Sequence, residues 1–224
     1  MQRITVEGGW NGIVPKFTSS HNQENQCLPA CVSMVLKTAG MPCSRHHLDE
    51  ITGYQPKYYS QFSTATLALN EYFPDNVHLY SLLDFTKYSR RGEKYLRQIY
   101  EPDWFKDQKA HSSPGFEKET QAAAQLVERR LSTKVPEHSL DLVRRLLQDN
   151  LLIASVDTAQ LYRFKQVSSH AVLVYGTYEN MFVFADPEFS EYDGKCRVSS
   201  QEEFSRSIRT HVLAIQFPRV NLLF

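Results

Sequence analysis

Gln23-Glu24-Asn25-Gln26-Cys27-Leu28-Pro29-Ala30-Cys31-Val32-Ser33-Met34-Val35-Leu36 is the stretch on which the reading of this chain turns. Its apolar residues at Leu28, Cys31, Val32, Val35 and Leu36 recur at i, i+3, i+4, i+7 and i+8, the stripe of an amphipathic helix laid on a core. Pro29 fits a first helical turn, where a missing N–H costs nothing, and Gly40 supplies a stop. Cys27 therefore stands at or just before the first turn. There the unpaired backbone N–H groups and the positive end of the helix dipole favour a thiolate, the form that attacks carbonyl carbon. Gln23 and Gln26 lie just upstream, and either amide can donate to a developing oxyanion. A cysteine taken alone is more often a small buried apolar residue, and Cys31, one turn later on the stripe, is expected to be that.

The 224 residues suffice for one substantial domain with a real core, read here as residues 1–224 with an insertion at about 85–135. Lys+Arg and Asp+Glu both number 25, so net charge gives no pull toward nucleic acid or a membrane surface. The 4 cysteines, at 27, 31, 43 and 196, lack disulfide-scaffold density, and Cys27 with Cys31 would be an awkward pair on one helix. Met1 to Glu7 lacks the apolar run of a secretory signal, and no stretch approaches the length of an uncharged membrane span. A soluble protein in the reducing cytoplasm is the expectation.

Along the chain, Ile4–Val6 and Ile13–Phe17 read as short strands separated by Gly8-Gly9 and Asn11-Gly12 turns. After the first helix, Ser44 caps a second that ends at Gly53, Ser63 or Thr64 opens a third through about Tyr72, and Val77–Leu82 alternates as a strand. Residues 85–135 are charged, aromatic at intervals and broken at Pro102 and Ser112-Ser113-Pro114-Gly115. Good helix formers over Glu117–Leu131 make this segment a helical excursion lying over the core. Ser139 caps another helix, followed by β-rich runs at 151–156, 170–176 and 181–186, with Glu179-Asn180 turning the last two. A helix at 201–208 capped by Ser200 and a strand at 212–217 close the chain. A helical N-terminal half packed on an antiparallel sheet is an α+β layout.

That layout brings two more groups toward the thiol. His170 opens one strand and Asp186 closes the next, so the Glu179-Asn180 turn sets them near one end of a hairpin. A histidine there can carry the thiol proton while the carboxylate fixes its tautomer. Gln23 with Cys27-Leu28-Pro29-Ala30, then Ser169-His170-Ala171-Val172-Leu173-Val174-Tyr175-Gly176, then Ala185-Asp186-Pro187, together resemble the bacteriocin-processing, double-glycine-leader peptidases of the papain-like cysteine peptidase group. The likeness spans roughly 20–83 and 136–217 and leaves 85–135 unmatched. It implies a papain-like α+β fold, Cys27 as nucleophile, His170 as general base and acid, Asp186 as the orienting residue and an upstream glutamine, Gln23 before Gln26, as oxyanion donor. It also implies a peptide or protein substrate and no cofactor or metal. Leu28 stands where that family usually has glycine.

The same triad would serve an acyltransferase in which an amine replaces water. A reading of another class, a zinc-supported or non-catalytic peptide-binding module, rests on Cys27, Cys31, Cys43, His46 and His47. Against it, Cys31 lies on the core stripe and 43–47 looks like a capped helix start.

Overall fold

The apolar stripe of the opening stretch becomes the helix it predicts. In the computed structural model, which describes residues 3–6, 10–13, 16, 26–163, 169–187 and 197–217, helix α1 spans Cys27–Thr38 and buries every residue from Leu28 to Leu36. Gln26 is its N-cap, and Gly40, at φ 79°, turns the chain just beyond its end. Helix α2 (Arg45–Thr52) opens on Ser44, whose hydroxyl accepts the His47 N–H at 3.2 Å, and stops at Gly53 in the left-handed conformation. Helix α3 (Phe62–Tyr72) begins one or two residues before the expected Ser63 or Thr64, after a Gln61 that makes no side-chain cap. Burying the Phe62 ring, 8% exposed, sets this start in place of a cap, and Ser63 lies inside the helix.

The excursion that follows strand β3 (Val77–Ser81) is helical, as its composition predicts, but it ends inside the sheet. Helices α4 (Phe85–Arg91), α5 (Glu93–Ile99) and α6 (Pro102–Ala110) and a 3-10 turn at Pro114–Phe116 lead into α7 (Glu117–Glu128). Asp84 caps α4, and Pro102 is the first residue of α6. Ala123 and Leu126 of α7 are fully buried in the core shared by α1 and α3. Strand β4 (Ser132–Lys134) then pairs in parallel with β3, Leu79 opposite Ser132. An all-antiparallel sheet was the expectation; the long helical crossover is what permits a parallel pair.

The second half runs α8 (Leu140–Leu147), β5 (Asn150–Asp157), α9 (Thr158–Tyr162), β6 (Ser169–Tyr178), β7 (Met181–Ala185), β8 (Arg197–Ser200), α10 (Gln201–Ser207) and β9 (Ile208–Gln216). With β1 (Arg3–Val6) and β2 (Trp10–Ile13), the nine strands among the described residues order as β1-β2-β6-β5-β9-β3-β4, and β7 joins β6 to β8. The strand expected at 13–17 thus lies earlier, paired through Trp10 to Tyr178; residues 14, 15 and 17, Gly8-Gly9 and Cys196 lie outside the described residues. One face of the sheet (Ile153, Leu173, Leu213) packs on α1, α3 and α7, and the other (Ala154, Val172, Val212) on α8 and α10. Two covered faces account for the unbroken apolar runs of β5, β6 and β9. The architecture is α+β, as expected. No helix among the described residues is long and apolar enough to cross a membrane.

Candidate active site

The thiol sits where α1 meets the sheet. Cys27 is the first residue of α1 and half-buried, and α1 packs on β6, the strand that His170 opens. His170 is 4% exposed and hydrogen-bonds the Cys27 side chain. Its Nε2 lies 2.7 Å from Oδ1 of Asp186, which leaves Nδ1 as the ring nitrogen available to the thiol. The hairpin explains the meeting. Leu173 pairs with Ala185, so one step further Asp186 stands across from Val172, on the diagonal from His170. Glu179, at φ 50°, makes the turn.

Burial pulls the His170 pKa down, but the Cys27 charge, the Asp186 hydrogen bond, the Cys27 hydrogen bond and the Asp186 charge outweigh it and hold the ring well above 6.5. Cys31 behaves otherwise. It is fully buried, its Sγ donates to the Ala171 carbonyl at 3.5 Å, and burial, then the charges of Cys27 and Asp186, push its thiol up. Cys27, His170 and Asp186 are therefore gathered in one place, and Gln26 is buried at the α1 N-cap. Gln23 lies outside the described residues. The alternative cluster is not assembled: Cys31 faces Ala171, and His47 Nε2 pairs with the Tyr72 hydroxyl at 2.6 Å.

Two features had no signal in the sequence. The Tyr162 hydroxyl, from the last residue of α9, donates to the second oxygen of Asp186. No local pattern marks this tyrosine; α9 reaches Asp186 because Asp157, which caps it, pairs with Ser169 at the mouth of the hairpin. Replacing Tyr162 by Phe is expected to lower stability by about 1–3 kcal/mol, the range for a buried bond to a carboxylate. It should also slow turnover about tenfold, with KM little changed, and move the alkaline limb of the pH–rate profile upward, because the less shared carboxylate holds the His170 proton more firmly. Denaturation and steady-state kinetics check both.

The second feature is a bulge. Ala154 pairs with Val212 and Val156 with Ile208, so Arg209, Thr210 and His211 of β9 stand opposite Ser155 alone. Arg209 reaches Asp157 at 2.5 Å and lies 5.1 Å from the Trp104 ring of α6. Thr210 and His211 line a pocket of about 900 Å³ of empty space, its open mouth included, which also touches Cys27 and His170. The roof of that pocket is the 85–135 excursion. Tyr59, beneath α6, donates to Asp107 at 3.2 Å and stacks on His111, tying α6 down.

Burial, with repulsion from His138, drops the pKa of His211 to about 3. The unfolded chain takes up that proton near pH 6.5, as a free histidine does. Between the two values the unfolded state binds more protons, so this group removes stability as pH falls below about 6.5. Denaturant midpoints should fall from about pH 6.5 to about pH 4.5, before most carboxylates titrate, and His211→Phe should flatten that fall.

No protein-family model and no curated protein matches the chain. Two proteases stand among the solved structures that are similar to it. One is the peptidase domain of Streptococcus ComA, a bifunctional ABC transporter of a quorum-sensing pathway, at 12% identity over 92% of this chain and 99% of that one, with a TM-score of 0.45. The other is a double-glycine-motif protease from an AMS/PCAT transporter in complex with the leader peptide, at 11% identity over 97% of this chain and 100% of that one, with a TM-score of 0.48.

Proposed function

We propose that the protein is a papain-like cysteine peptidase, a thiol hydrolase that cleaves an amide bond of a peptide or protein through a thioester. One observation carries this reading: a buried imidazole hydrogen-bonded on one side to a helix-opening thiol and on the other to a buried carboxylate, at the edge of a pocket. His170 takes the Cys27 proton, and the thiolate adds to the substrate carbonyl. The negative oxygen is held by the Cys27 backbone N–H, which has no intrahelical acceptor in the first turn, and by Gln23. Collapse of the adduct breaks the C–N bond, and His170 protonates the leaving amine. Water, deprotonated by His170, then attacks the thioester and returns the free thiol. Asp186 keeps the ring turned toward the sulfur. In this reading residues 1–224 are one peptidase unit, and 85–135 shapes the substrate site.

The direct test is intact-mass analysis of the protein mixed with peptide substrates and quenched in acid. A hydroxylamine-labile acyl adduct on Cys27 is expected; cleavage with no such adduct, or an adduct on another residue, would overturn the mechanism. Adding a competing amine distinguishes the two fates of the thioester. Free acid as the product supports hydrolysis, and an amine conjugate identifies the acyl-transfer version of the same triad.

A further inference from the structure

The pocket beside Cys27 has an unusual lining. Among the described residues that line it there is no carboxylate, lysine or arginine. Its lining sets aromatic rings, Phe62 from α3 and Phe85, Tyr88, Tyr100, Trp104 and Phe116 from the excursion, among uncharged serine, threonine and glutamine side chains. A cation placed there would be desolvated with no carboxylate among the described lining residues to offset it, whereas a flat apolar group would cover aromatic surface otherwise wet.

The same wall holds two polar atoms that lack a partner among the described residues. Ser60 Oγ and His211 Nδ1 are both buried from solvent and accept or donate no hydrogen bond. Both residues line the pocket, where His211 stacks on Phe62 at 5.1 Å between ring centres and Ser60 precedes Phe62 by two residues. The β9 bulge is what turns His211 into this space. Buried polar atoms ordinarily have partners, and a pocket with two such atoms on its lining favours a ligand able to supply one.

We propose that the pocket selects a side chain made of an aromatic ring with a hydrogen-bonding tip, tyrosine foremost, next to the scissile amide. The position of that side chain relative to the bond rests on the thiol-hydrolase reading; the ring-and-tip selectivity does not. Phenylalanine would fill the aromatic walls and leave Ser60 and His211 unpaired. Glycine would cover neither. Lysine would bring a charge that no described lining carboxylate offsets, and aspartate would leave the aromatic rings uncovered.

The test uses blocked pentapeptides, acetylated and amidated, with alanine at all positions except a central Tyr, Phe, Gly, Lys or Asp. Cleavage on either side of the central residue is followed by mass spectrometry. Tyrosine is expected to exceed phenylalanine about tenfold in kcat/KM, the worth of about one buried hydrogen bond, and phenylalanine to exceed glycine on the order of a hundredfold, the worth of an aromatic burial. His211→Phe should bring the Tyr-to-Phe ratio to about one. Gln108→Glu, a near-isosteric change on the pocket lining of α6, should raise the Lys peptide relative to the Tyr peptide and does not depend on the His211 variant folding. Equal cleavage beside Tyr and Gly, or a Tyr-to-Phe ratio unmoved by a folded His211→Phe protein, would overturn the pocket assignment and leave the hydrolase standing. If no peptide is cleaved and no Cys27 adduct forms, the hydrolase falls, and titration calorimetry of the same peptides with the Cys27→Ala protein decides the pocket. Tyr binding tighter than Gly and Phe sustains it, and equal binding overturns it.

Discussion

Cys27→Ala will abolish turnover, by at least about 10⁴-fold, while the protein keeps its fold. Both halves of that statement follow from the position of the residue. The sulfur is the only atom lost, and it is the atom that forms the thioester in the mechanism proposed; background attack by water does not replace it. Alanine is a strong helix former, and Cys27 is only half-buried at the first position of α1, so the melting temperature should move little. Cys31 provides the contrast. Cys31→Ala removes a fully buried sulfur from the α1 core and should cost about 1–2 kcal/mol of stability while retaining activity. Thermal denaturation with parallel peptide assays separates the two. Activity that survives in Cys27→Ala, or vanishes in Cys31→Ala with the fold intact, would remove Cys27 from the reaction.

The second large effect is at Asp186. Asp186→Ala removes the carboxylate that accepts from His170 Nε2 and from the Tyr162 hydroxyl, and kcat is expected to fall on the order of 10²–10⁴-fold. Asp186→Asn is the sharper probe. Its amide oxygen can still accept from Nε2, so the ring keeps its orientation and the loss in kcat should be smaller. The carboxylate charge is gone, however, and that charge and its hydrogen bond are two of the causes that raise the His170 pKa. Imidazolium is lost as pH rises through that pKa, so the alkaline limb of the pH–rate profile should move to lower pH. Tyr162→Phe is expected to move the same limb the opposite way. A pair of variants that shift one titration in opposite directions assigns it to His170. Identical profiles in wild type and Asp186→Asn would detach the carboxylate from the reaction.

Much of this was legible from residues that declare themselves locally. The α1 stripe, the serine caps at 44, 139 and 200 and the Glu179-Asn180 turn each depend on a few neighbours, and the structure has them all. The meeting of Cys27 with His170 and Asp186 was legible too, because a hairpin of known register and a helix packed on it leave little freedom. The rest is tertiary. Tyr162 reaches Asp186 from a helix of five residues with no periodicity to read, and His211 enters the pocket only because β9 slips against β5. The parallel strand β4 was hidden because Ser132–Lys134 is short and half polar, and only the crossover through α7 brings it beside β3. Gln61 opens α3 without capping it because the Phe62 ring anchors the start, a packing term that no cap preference contains.

The departure and return of the excursion also bear on how this protein could be rebuilt. The backbone N–H of Leu79 donates to the Leu131 carbonyl and that of Val135 to the Ser81 carbonyl, so the chain leaves the sheet and rejoins it on neighbouring strands. A segment with its two stubs that close together can change in length without stretching the sheet or displacing the hairpin that carries His170, so long as α7 keeps Ala123 and Leu126 in the core they share with α1 and α3. Diversity in what the thiol is offered could then accumulate in one replaceable module, while the machinery beneath it stays as it is.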